Sequence, residues 1–251
     1  MTTLVGGVGQ LYQGDLDLGR LAVERLREEE LGASVLIEDF HYGAVAVAQR
    51  LEDVRPDALV LVGAVQRGSA PASVARRRIK DPKLTPAEIQ SSVGDAVTGY
   101  VTLDLAIEVA AGLGALPART VAIEVEAVRT SPSESMTPEA DEALEEALGL
   151  VRAEIRRAPL LRLADELRAL LDPERLEPSP ALDALKGLLL ELRVLDDAGR
   201  WGAAFAIRDR LRRMIAEGAT GHGMDHLDWG LWWALIEELD RLQPLEASVD
   251  D

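Results

Sequence analysis

The chain contains no cysteine. That excludes disulfides, thiolate metal sites and a cysteine nucleophile. It also lacks the G-x-S-x-G turn of serine hydrolases and the lysine-bearing glycine loop of nucleotide phosphate binders. A dinucleotide loop is missing as well, because Gly7-Val8-Gly9 is followed by Gln10-Leu11-Tyr12-Gln13 with no third glycine in place. No apolar run reaches the ~20 residues of a membrane-spanning helix. The N-terminus does not have the charged-then-apolar layout of a signal peptide. These absences set the expectation of a cytoplasmic protein. Positive charge is also scarce, with 27 Lys and Arg against 44 Asp and Glu, a net charge of −17. The acidity runs through both halves of the chain, and such a field repels nucleic acid and anionic membrane surfaces. Neither is expected as a partner.

What the chain does have is length and apolar content. Its 251 residues, 47% hydrophobic, suffice for one large domain or for a smaller domain with an appendage. The first half alternates short apolar runs with helical spacing. "TLVGGVG", "ASVLIEDF" and "DALVLVGAV" read as buried strands, and "LGRLAVERLREEE" and "AVAVAQRLEDV" as the helices between them. "ASVARRRI" alternates like an edge strand. The stretch before it, "VQRGSAPA", is too short for a parallel crossover, so this strand should run antiparallel. The arginines of "RRRIK" are expected on its exposed face, where charge blocks unwanted pairing. Thr85-Pro86-Ala87-Glu88 has the layout of a capping box and predicts a helix start. A small-residue helix, the strand "TVAIEVEAV" and a long acidic helix from Thr137-Pro138 complete the unit near residue 157.

From Pro159 the strands stop. "LLRLADELRALL", "ALDALKGLLLELRVLDD", "WGAAFAIRDRLRRMIAEG" and "LDWGLWWALIEELDRL" are four amphipathic helices separated by Pro and Gly. The expected architecture is a three-layer α/β/α domain over residues 1–157, with a five-stranded, mostly parallel sheet. An all-α module follows over residues 158–251. Trp229, Trp232 and Trp233 form an aromatic stripe that reads as core first and as a partner-docking surface second.

The first loop carries the most information. Gly7-Val8-Gly9-Gln10, the acidic Asp15, and Gly19 at the start of a helix follow a strand. Asp39-Phe40-His41 ends the second strand, and "LVLVGAVQRGSAPASV" spans the third strand and the turn after it. In this order the segments resemble the hydrogenase maturation protease family, over about three fifths of the chain. The resemblance implies an endopeptidase that removes a C-terminal peptide from the large subunit of nickel–iron hydrogenases. It also implies a divalent metal, or the substrate's nickel, held by a Glu, an Asp and a His. The matching positions hold Leu16, Gly63 and a residue at Gly99 or Tyr100. None supplies the oxygen or imidazole nitrogen such a metal needs, so no resident cofactor is expected. Gly7, Gly9, Gln10 and Gly19 keep the loop-forming positions.

Other side chains stand at the same strand ends. Asp15, Asp17, Asp39 and His41 can in principle gather round a metal, because ligands of open α/β sheets bind at that edge. The plainer reading has Asp15 and Asp17 capping or charging the next helix, Asp39 ordering its loop, and His41 partly buried in a hydrogen bond. Gly9 and Gly19 then serve only tight turns and helix–strand packing. Near the other end, His222 and His226 stand four apart beside Asp225 and Asp228, a weak metal pattern interrupted by Gly221 and Gly223. Two functions remain open. One is a non-catalytic member of the family that recognises a hydrogenase large subunit or a maturation factor. The other is an active metal-dependent endopeptidase with a rearranged site.

Overall fold

The computed structural model describes residues 2–80, 82–96, 101–171, 179–218 and 229–246. Five strands form one sheet: β1 (Thr3–Val8), β2 (Val35–Asp39), β3 (Ala58–Val65), β4 (Val74–Ile79) and β5 (Thr120–Glu126), in the order β2-β1-β3-β5-β4. Every residue of β1 and β5 is buried, as expected of strands covered by helices on both faces, and in β5 this includes Glu124 and Glu126. The edge strands β2 and β4 are only partly buried. Strand β4 runs antiparallel to β5, from Val74 opposite Val125 to Ile79 opposite Thr120, and the other pairings are parallel. No helix stands between β3 and β4, as the short connection demands.

Helices α1 (Leu18–Arg27), α2 (Ala44–Val54), α3 (Pro86–Ala96), α4 (Leu103–Gly112) and α5 (Pro138–Leu170) flank the sheet or lead away from it. Leu26, Val60, Ile123, Leu144 and Val151 belong to one core, and Phe40, Leu51, Leu61, Leu103 and Ile107 to a second. The capping box forms at α3, where Glu88 accepts from the Thr85 amide (2.7 Å) and hydroxyl (2.8 Å). Helix α1 crosses β1 at closest range through two glycines. A Cβ on Gly7 would lie 2.0 Å from the Gly19 carbonyl oxygen, and one on Gly19 would lie 2.2 Å from that of Val8. Only glycine permits this approach.

The chain divides into two compact units, Met1–Ile155 and Arg156–Asp251. Two expectations need correction here. The acidic helix does not end before Pro159: α5 is one helix of 33 residues with the proline inside it. Proline removes one helical hydrogen bond, but Leu160, Leu161, Ala164, Leu167 and Leu171 repeat at helical spacing beyond it and are buried. Packing of that face keeps the helix running while the proline ring stays exposed. The edge-strand arginines are not a solvated row either. Arg76 is largely buried and pairs with the buried Glu154 (2.8 Å), and Arg77 donates to Glu124 (2.7 Å).

In the second unit α6 (Pro180–Ala198), α7 (Ala204–Gly218) and α8 (Trp229–Glu246) follow. Leu185, Leu192, Trp201, Leu211, Trp232 and Leu239 belong to its core. The tryptophan stripe is split: Trp232 is buried, Trp229 packs partly against the core, and Trp233 is 48% exposed. Among the described residues no helix is long and apolar enough to cross a membrane.

Candidate functional site

Strand order reverses between β1 and β3, and in open α/β sheets the crevice beyond that point takes ligands. After β1 the Gln10 amide donates to the Leu16 carbonyl (3.0 Å) and closes a loop that ends in the 3-10 turn Gly14–Asp17. Asp15 is completely buried. Its carboxylate accepts from the backbone amides of Val128 (3.0 Å), Arg129 (2.7 Å) and Thr137 (2.7 Å), and from the Thr137 hydroxyl (3.1 Å). Three of these donors reach one oxygen and the fourth reaches the other. Asp15 therefore ties the first loop to the segment that enters α5.

Asp17 accepts from Arg20 Nε through both oxygens at 2.9 Å, and that hydrogen bond holds the Arg20 guanidinium well above its ordinary pKa. Neither acid caps α1 through a side-chain hydrogen bond, but Asp17 stands at its N-cap and both acids lie in the turn that leads into it, so the charging half of the expectation holds. The 3-10 turn runs straight into the helix and uses the Asp15 carbonyl to satisfy the Leu18 amide. At the end of β2, His41 Nδ1 lies 3.0 Å from Asp39 Oδ2. The imidazole is 46% exposed rather than tucked in, because it follows the buried Phe40 on the outgoing loop. The other Asp39 oxygen is buried with no partner. Of the four candidates only Asp39 and His41 meet; Asp15 and Asp17 face other partners. Among the described residues no group of three or more His, Asp or Glu could hold a metal. Gly99, Tyr100, His222 and His226 lie outside the described residues.

Leu16 and Gly63 stand where the family resemblance asks for metal ligands. Gly63 is paired with Val8 on one side and Glu124 on the other. A Cβ there would lie 2.7 Å from the Val8 carbonyl oxygen and 3.2 Å from a Leu103 methyl. The backbone closes on the place where an aspartate would start. Leu16 lines a pocket of about 200 Å³ with Gln10 from the first loop, Gln66 and Arg67 beyond β3, and Thr102 and Asp104 at the start of α4. Val8, Val65, Val101 and Leu103 add apolar walls. The Thr102 hydroxyl caps α4 by accepting from the Leu105 amide (3.2 Å).

One cluster of charges borders this pocket. Arg67 donates to both Asp104 oxygens at 2.8 Å and to Glu124 at 2.8 and 2.9 Å. Arg77 reaches Asp104 (3.1 Å) and Glu124 (2.7 Å). Glu126 accepts from the amides of Arg67 and Gly68, both at 2.9 Å. The Arg67 hydrogen bond holds the Asp104 carboxyl below its ordinary range. Burial alone would raise the Glu124 carboxyl, but the hydrogen bonds from Arg67 and Arg77 outweigh it and the group lies low. These carboxylates are committed to arginines. An aliphatic Leu16, a closed-off Gly63 and paired acids do not fit a divalent metal. Sequence reasoning missed this cluster. Its signal was Glu124 and Glu126 inside an otherwise apolar strand, since buried acids are kept only with partners.

The fold and the crevice define an open α/β protein with a small pocket at the strand switch. No protein-family model matches the chain, and no curated protein does. Among solved structures it is similar to an endopeptidase from Escherichia coli, with 26% identity, 63% of this chain and 94% of that one covered, and a TM-score of 0.48. It is similar to the hydrogenase maturating endopeptidase HybD of Escherichia coli at 24% identity, with 63% and 94% covered and a TM-score of 0.48. A third is the hydrogenase 2 maturation peptidase of a Thaumarchaeota archaeon, at 23% identity, 60% and 96% covered, and a TM-score of 0.45.

Proposed function

We propose that this chain is a non-catalytic relative of the hydrogenase maturation proteases. It acts as a recognition or assembly factor, with a nickel–iron hydrogenase large subunit or another maturation factor as its protein partner. One feature supports the reading: the loop residues Gly7, Gly9, Asp15 and Gly19 are present, while a leucine and a glycine, Leu16 and Gly63, occupy the positions that the resemblance matches to metal ligands. The pocket beside Leu16 is walled by apolar and neutral groups and by an arginine–carboxylate pair. The competing reading, an endopeptidase working through Asp15, Asp17, Asp39 and His41, has less support. The Asp15 oxygens already accept four hydrogen bonds and Asp17 is held by Arg20.

The test mixes the purified protein with nickel-loaded large-subunit precursor and follows it by native mass spectrometry. The expected result is a complex in which the precursor keeps its C-terminal peptide. Release of that peptide sinks the non-catalytic reading, and absence of any complex sinks the recognition role.

A further inference from the structure

The pocket at the strand switch is small and electrically neutral. Its volume of about 200 Å³ is below the ~300–1,000 Å³ of pockets that enclose a whole drug-sized molecule. It suits a single side chain. The charged groups lining it are Arg67 and Asp104, joined by two hydrogen bonds of 2.8 Å. A charged guest would lose its hydration and find no free counter-charge. The Gln10 side-chain amide, which donates to the Val101 carbonyl over a long 3.4 Å, can turn to a polar guest at little cost.

A second feature is the loop between two of the lining residues. The hydrogen bond from the Gln10 backbone amide to the Leu16 carbonyl joins two lining residues and closes the chain between them into a turn, with Gly14 and Asp15 buried and Leu11 and Tyr12 exposed. Tyr12 there has φ +61°, a conformation that costs an aromatic residue energy and suits glycine. It is held in place: its carbonyl accepts from the Ser133 amide (3.0 Å), and the Gly14 amide donates to the Ser133 carbonyl (3.0 Å). The result is a rigid turn with Leu11 47% and Tyr12 67% exposed. Pre-organised, exposed aromatics are the usual anchors of protein interfaces.

We infer that this pocket and the Leu11–Tyr12 turn together receive an extended polypeptide segment, which inserts one uncharged side chain beside Leu16 and lies across the turn. A free small molecule would fill the pocket and leave the turn unused; a peptide covers both. The inference rests on the reading of this chain as a recognition protein and specifies the chemistry it recognises.

The test is a methyl NMR titration of the full chain, labelled at Leu and Val, with capped pentapeptides Val-Ala-X-Ala-Val in which X is Leu, Asn, Glu or Lys. The Leu and Asn peptides should shift the methyls of Leu16, Val101 and Leu103 in a saturable way. The Glu and Lys peptides should bind about tenfold more weakly or worse, and salt should leave the affinity unchanged. Leu16→Trp fills the pocket, and Tyr12→Gly removes the ring while relieving the backbone. Each should weaken binding about tenfold. Tyr12→Gly introduces no bulk, so it tests the idea even if Leu16→Trp folds poorly. Equal binding of charged peptides, shifts confined to other methyls, or full affinity in Tyr12→Gly would each overturn the inference. Peptide binding without large-subunit binding would leave the pocket assignment standing and remove the hydrogenase partner. A large-subunit complex that persists in Leu16→Trp, with no peptide bound, would do the reverse.

Discussion

The Asp15 carboxylate accepts a 2.7 Å hydrogen bond from the Thr137 amide, a residue 122 positions further along the chain. This bond and its three companions lock the loop after β1 to the loop after β5. An acid that reads as a ligand candidate in the sequence is therefore a clamp that holds these two loops together.

Asp15→Ala should cost about 3 kcal/mol or more, because it strands several buried donors at once. Asp15→Asn should cost less, since one acceptor oxygen remains. Chemical denaturation of the three proteins measures the order; an Asp15→Ala variant as stable as the parent would refute the clamp.

Gly63→Ala should also destabilise, by about 1–3 kcal/mol, since the new Cβ would meet the Val8 carbonyl oxygen at 2.7 Å. By the same geometry, Leu16→Glu with Gly63→Asp fails to rebuild a metal site. Calorimetry with nickel should show no tight binding by the double variant, and its thermal midpoint should fall.

The Arg67 cluster makes stability depend on acid. Asp104 and Glu124 lie below their ordinary values of 3.8 and 4.5, so their contribution is fully present above those values. It is lost as pH falls through the lowered folded-state values. Arg67→Met removes the first partner of Asp104 and one of two partners of Glu124. Its thermal midpoint should drop at neutral pH and approach that of the parent in strong acid. Parallel curves for the two proteins across the acid range would show that the cluster does not carry this dependence.

Pro159 stands exposed inside α5 and denies the helix one hydrogen bond. Pro159→Ala should stabilise the second unit by about 1 kcal/mol or more. All four tryptophans lie beyond residue 200, with Trp201 and Trp232 buried, so tryptophan emission reads this unit alone. A higher unfolding midpoint by emission is expected, and an unchanged or lower one counts against a simple lost hydrogen bond.

Much of the architecture was legible in the residues themselves. Continuous apolar runs marked β1 and β3 as buried strands, because a strand covered on both faces has no side left for polar residues. The eight residues "VQRGSAPA" forced β4 to run antiparallel, since a parallel return needs a longer crossover. Thr85 and Glu88 announced the start of α3 by chemistry local to one turn. The end of α5 was not legible in this way. Local propensity stops a helix at Pro159, and only the burial of Leu160, Leu161, Ala164, Leu167 and Leu171 overrides it.

The candidate site divides along the same line. The sequence by itself determined which side chains are available: no cysteine anywhere, a leucine at position 16 and a glycine at position 63. It determined that acids gather at the strand ends. Only the tertiary structure decided what those acids do. Asp15 turns to amides of the segment before α5, Asp17 to Arg20, and Glu124 to arginines from two other segments. Partners 57 or 122 positions away leave no periodic trace in a sequence. A carboxylate's role is set by the donors that surround it, and those donors meet only once the sheet has closed.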